Sequence, residues 1–145
     1  MVMVEGEEKL KTLAQVEIDP MQRLEENSIA LGEGVQVNLG LLKKNYEIIK
    51  LIYINPDKWM SEAISVTLNP VSIKTISQKR KPAYRDAVKR YFRGKCRPVS
   101  LHMLVVLEVE YQSKCEFKKV YFEVTSIEPK GLTRALVYDG TKINI

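Results

Sequence analysis

From Leu101 to Tyr111 apolar residues hold every second position: Leu101, Met103, Val105, Leu107, Val109 and Tyr111. A period of two fits a strand, whose side chains alternate between faces. It does not fit a helix, whose faces repeat every 3.6 residues. A strand leaves its backbone donors and acceptors to be met by neighbours, so this run commits the chain to a sheet. Leu104 and Val106 make its first half apolar on both faces, while Glu108 and Glu110 open the second half to water.

Gln112-Ser113-Lys114 then turns the chain. On the return, Lys119, Tyr121 and Glu123 alternate with Val120, Phe122 and Val124. Pro129-Lys130-Gly131 marks a further turn. Ala135 to Tyr138 and Lys142 to Ile145 flank Asp139-Gly140, a dipeptide typical of type I′ hairpins. These signals predict a three- to four-stranded antiparallel meander.

Upstream the spacing turns helical. Leu10, Leu13 and Ala14 predict a short helix over about 7–16. Asp19-Pro20 starts a second piece reaching Ile29, and Leu31-Gly32-Glu33-Gly34 reads as a flexible joint. Asn38 caps a helix predicted over 39–54, with Leu41, Leu42, Ile48, Ile49 and Ile52 on its buried face. Asn55-Pro56 starts another to Ser65, carrying Trp59, Met60, Ala63 and Ile64. Ser65 to Leu68 is a short strand or a loop, and Asn69-Pro70 opens a helix to about Gln78. The best-marked helix runs from Pro82 to Arg93. Tyr84, Ala87, Val88 and Tyr91 form its apolar stripe, and Gly94 stands where a C-cap glycine belongs.

The expected class is α+β: N-terminal and central short helices followed by the meander. Residues 1–34 read as an acidic arm and 35–145 as a single α+β domain, helical over 38–94 and β-rich over 99–145. This element order resembles that of a winged-helix domain. The likeness is one of order alone, with no motif residues behind it. It implies that the charged helix faces DNA and that the 111–115 turn is the wing.

Charge is segregated along the chain. The formal net charge of +5 conceals three bases against eight acids in 1–37, fourteen against four in 38–98, and six of each in 99–145. The basic excess is densest in 74–97. There Lys74, Lys79, Arg80, Lys81, Arg85, Lys89, Arg90, Arg93, Lys95 and Arg97 have Asp86 as the only acid among them. Arg85, Lys89 and Arg93 are spaced i, i+4, i+8 and share one helix face. Like charges at that spacing repel by roughly 0.2–0.5 kcal/mol per pair, so the face gains from an anionic partner. Mixed Arg and Lys suit phosphates, since Arg forks its hydrogen bonds and Lys supplies point charge. Tyr84 and Tyr91 fit the core stripe, and Phe92, off its centre, is the better candidate for stacking on a base.

Most enzyme chemistries lack their residues. His102 is the only histidine and reads as a buried or half-buried structural residue on the strand. With Cys96 and Cys115 the only cysteines, no zinc set of usual spacing can be built. Cys96, between Lys95 and Arg97, is a reactive thiol at most. Gly32-Glu33-Gly34 lacks the pattern of a phosphate loop. Glu108, Glu110 and Glu123 with Lys118 or Lys119 form either cross-strand ion pairs or, less simply, a carboxylate nuclease site. No run of apolar residues is long enough for a membrane helix, and the N-terminus lacks the layout of a secretory signal. We therefore expect an intracellular, cytoplasmic chain. Its 16 Lys and 14 Glu against 5 Gln lean toward a thermophilic source.

The resulting expectation is a non-enzymatic nucleic-acid-binding protein without a cofactor, a transcription or nucleoprotein regulator. Its phosphate contacts are Lys79, Arg80, Lys81, Arg85, Lys89, Arg90, Arg93 and Arg97. The partner is DNA or RNA. The alternatives are a factor that binds a nucleic-acid machine such as RNA polymerase in competition with nucleic acid, and a viral structural protein.

Overall fold

The computed structural model describes residues 1–5, 11–15, 28–41, 50–55, 58, 60–71, 76–111 and 116–145. Of these, 47% are strand and 18% helix, arranged as three sheets and two helices. The expected order of helices followed by a meander is therefore overturned: strands begin at the N-terminus and recur throughout. The chain divides into two compact units, Met1–Asn55 and Pro56–Ile145.

In the first unit β1 (Val2–Glu5) is the central strand of an antiparallel sheet, flanked by β2 (Lys11–Ala14) and β3 (Lys50–Tyr53). The register sets Glu5 opposite Lys11, and their side chains meet at 3.3 Å. The helix expected over 7–16 is thus a strand over 11–14. The apolar spacing there is equally compatible with four residues of strand, and pairing to β1 decides it. The helix expected over 39–54 is likewise overturned at its C-terminal end by β3. Residues 42–49 lie outside the described residues, as do 20–27 of the second expected helix.

The short helix α1 (Glu33–Asn38) occupies part of the expected joint. It ends where Gly40 adopts φ 70°. The Leu41 N–H donates to Gln36 O at 2.8 Å and the Gly40 N–H to Val37 O at 3.0 Å. These are the two bonds of a Schellman ending, which needs a left-handed residue that glycine supplies without strain. So Asn38 closes a helix rather than opening one. Leu39 and Leu41 are buried with Val4 in this unit's core.

In the second unit a four-stranded sheet has the order β10-β5-β8-β7, and a three-stranded sheet the order β4-β9-β6. β7 (Leu104–Tyr111) and β8 (Glu116–Glu128) form the expected antiparallel pair. Val105, Leu107 and Val109 face the core with Val120, Phe122 and Val124. Of the 111–115 turn expected as a wing, Tyr111 belongs to β7 and residues 112–115 lie outside the described residues. β5 (Ser65–Pro70) pairs with β8. It overturns the helix boundaries expected at Ser65 and at Asn69-Pro70, and Pro70 falls at the strand's last residue. Residues 72–75, inside the second of those helices, are not described.

The hairpin expected around Asp139-Gly140 is also overturned. The turn exists, since the Thr141 N–H donates to Tyr138 O at 3.0 Å, but its arms enter different sheets. β9 (Arg134–Val137) runs parallel to β4 (Ser61–Glu62), and β10 (Lys142–Asn144) runs parallel to β5. The Ser61–Pro70 run and the Arg134–Asn144 run thus lie side by side and change sheet together. At the changeover, buried Thr141 donates its hydroxyl to Ala63 O at 2.9 Å and accepts from the Tyr138 N–H at 3.2 Å. β6 (Arg97–Ser100) was not anticipated. It includes Pro98, which lacks an N–H and is tolerated because β6 is an edge strand.

The helix α2 (Lys81–Phe92) matches the expected one. It buries Tyr84, Ala87, Val88 and Phe92 against the four-stranded sheet. The Tyr84 and Phe122 rings meet edge to face, 5.9 Å between centroids at 70°. Its chain leaves through Gly94, whose φ of 65° a residue with a Cβ adopts only at a cost. Among the described residues, no helix is long and apolar enough to cross a membrane.

Candidate functional site

α2 places the basic cluster because its apolar stripe fixes its rotation. With Tyr84, Val88 and Phe92 inward, Arg85, Lys89 and Arg93 are exposed together on one side. Four residues advance a helix by about 6 Å, so the three charges form a row roughly 12 Å long. Among the described residues, no ion pair engages any of the three.

The N-terminal end of α2 adds to the positive field. Arg80 sits at the cap position without a side-chain cap, and the first turn holds no acid. Lys79, Arg80 and Lys81 therefore stand at the positive end of the helix macrodipole, which costs about 0.3–1 kcal/mol for an exposed charge. An anion placed there offsets that cost.

Arg97 and Arg90, both among the expected contacts, are tied within the protein. Arg97 donates Nε–H to Tyr91 O at 2.7 Å, and its guanidinium lies 4.1 Å from the Tyr91 ring centroid. Arg90 donates to Glu108 O at 3.0 Å and sits 5.8 Å from the Phe117 ring centroid. These are ties between α2, β6 and the β7–β8 pair, and they leave these two side chains less free for an outside anion. Lys74 lies outside the described residues.

The aromatic assignments divide. Tyr84 is core, as expected. Phe92, the expected stacking residue, is buried at 4% exposure and packs edge to face on Tyr91 at 4.8 Å. It is not an exposed stacking platform. Burial pushes the Tyr91 phenol above its ordinary value, and nearby Arg97 pulls it part of the way back.

Beside the cationic row lies a cleft of about 460 Å³. Val88 and Phe92 line it from α2, and Tyr138, Thr141, Ile143 and Ile145 from the C-terminal segment. Asp139 also lines it, but its Oδ1 accepts the Gly94 N–H at 2.8 Å and so closes the exposed end of α2. Tyr138 is partly exposed at the rim. Its hydroxyl bonds to Glu62, which pushes the phenol above its ordinary value. Its ring crosses Gly140, where an added Cβ would stand 2.8 Å from Cε2. No sequence signal announces this cleft, because its walls come from segments about 50 residues apart that only the parallel β5–β10 pairing brings together.

The remaining candidates resolve differently. His102 is not buried: it lies in the turn before β7 at φ 64°, its side chain 78% exposed, with Nδ1 2.7 Å from Glu123 Oε1. Glu108 stands in register with Lys119, as cross-strand pairing requires. Among the described residues, no three His, Cys, Asp or Glu side chains converge as a metal site. Cys96 is a free, exposed thiol, and Cys115 lies outside the described residues. Comparison with protein-family models and with curated proteins gives no match.

Proposed function

We propose that this protein binds nucleic acid through the phosphate backbone, with the exposed face of α2 as its contact surface. The supporting observation is the row Arg85, Lys89 and Arg93, held on one helix face with no ion pair among the described residues. Lys79, Arg80 and Lys81 extend the same field at the helix start. Arg90 and Arg97 take a structural part in this reading, fixing α2 to β7 and β6. The role is that of a binding protein in transcription or nucleoprotein assembly, acting in the cytoplasm.

The winged-helix mode of docking is set aside, since the element order it needs is not the one observed. Phosphate contacts release counterions, so affinity must fall steeply with salt. The test is binding of labelled duplex and single-stranded oligonucleotides across a salt series. Strong binding at low salt with a steep decline supports the proposal, and no binding at low salt refutes it.

A further inference from the structure

The geometry points to single-stranded rather than duplex nucleic acid as the ligand, with an unpaired base entering the cleft between α2 and β10. This inference rests on the phosphate-binding proposal and deepens it. A cationic row alone would serve either form, since both present phosphates. The cleft separates them.

Its volume of about 460 Å³ lies in the range of small-molecule sites and is ample for one heteroaromatic base with part of its sugar. Its lining is largely apolar, from Val88, Phe92, Ile143 and Ile145, with the Tyr138 ring at the rim. Arg85, Lys89 and Arg93 edge the same cleft, so a nucleotide seated there places its base on apolar surface and its phosphates on the row. Asp139, the one acid in the lining, is turned to the Gly94 N–H. In a duplex the bases are stacked and paired inside, and a base can reach the cleft only after unpairing. An unpaired strand bears no such cost and gains the stacking and burial of its base.

The experiment compares one labelled sequence as single strand and as duplex, bound to the intact chain at low salt, with two cleft-filling variants. Ile143→Trp fills the cleft from β10. Ile145→Trp fills its mouth from a more exposed position and keeps the test valid if the first variant folds poorly, which circular dichroism monitors. The wild-type protein should prefer the single strand by about tenfold or more, the worth of roughly one stacked base. A folded filled variant should lose that preference while holding its duplex affinity and its salt dependence. Equal binding of both forms by the wild type, or an undiminished preference in both filled variants, overturns the inference and leaves the phosphate-binding proposal standing. Failure to bind either form overturns both.

Discussion

Replacing Arg85, Lys89 and Arg93 together by Gln removes the charge of the row and keeps most of the side-chain stems over the cleft. If each cation meets one phosphate of duplex DNA, each contributes about −0.9 to the slope of log K against log salt concentration, against about −0.7 for a single strand, and the duplex is the case worked here. The triple variant should therefore flatten that slope by about 2.7. Taking 1 M salt as the point where counterion release contributes nothing, the affinity loss at 0.1 M is about 2.7 decades, roughly 500-fold. The binding curves of variant and wild type should converge as salt approaches about 1 M. Folding should respond quite differently. Relief of two like-charged i,i+4 pairs, Arg85 with Lys89 and Lys89 with Arg93, stabilises the helix by roughly 0.2–0.5 kcal/mol each. Loss of Lys89 from the last turn removes about 0.3–1 kcal/mol of favourable interaction with the macrodipole. These oppose one another, so stability should move by less than ~1 kcal/mol. Fluorescence anisotropy across the salt series reads the first effect and urea denaturation the second. An unchanged salt slope would refute the reasoning, as would a loss of binding that merely tracks a loss of fold.

Three further outcomes follow from the packing. Tyr84→Ala empties the centre of the interface between α2 and the four-stranded sheet and should cost about 3–5 kcal/mol in denaturant unfolding. Thr141→Val keeps the volume but strands the Ala63 carbonyl and the Tyr138 N–H, a loss of about 1–3 kcal/mol by the same measurement. Arg97→Met removes the cation that lowers Tyr91, so that phenol should ionise at still higher pH in an ultraviolet titration. The sign for stability follows: Tyr91 holds its proton more tightly folded than unfolded, so its contribution is full below the ordinary value of 10.0 and is lost as pH rises above it.

What could be read locally in this chain is what has a period. The alternation of Val105, Leu107 and Val109 shows because one face of β7 is buried while Glu108 and Glu110 meet water. The stripe of α2 shows for the same reason at the helical period. β5 does alternate, with Val66 and Leu68 at 0% exposure and Thr67 and Asn69 less buried, but it has only two apolar positions, too few to mark a period. Over so short a run the Asn-Pro pairs around it outweigh the alternation and point to helix boundaries, whereas Pro70 simply ends a strand. Phe92 was misplaced by a related error. It lies off the centre of the stripe, yet it is buried in the core cluster with its ring edge to face on Tyr91.

The sequence by itself determined that one helix would carry a row of cations on a single face beside its apolar stripe. It also determined that an alternating pair of strands would lie antiparallel within a sheet. Both depend on neighbours within a few residues, where backbone geometry dictates which side chains share a face. Only the tertiary structure decided that the Ser61–Pro70 and Arg134–Asn144 runs pair in parallel across two sheets, since such contacts join distant segments with no local period to mark them. That pairing sets β10 beside α2 and opens the cleft next to the cationic row. It turns a basic helix face into a site with both a charged edge and an apolar interior.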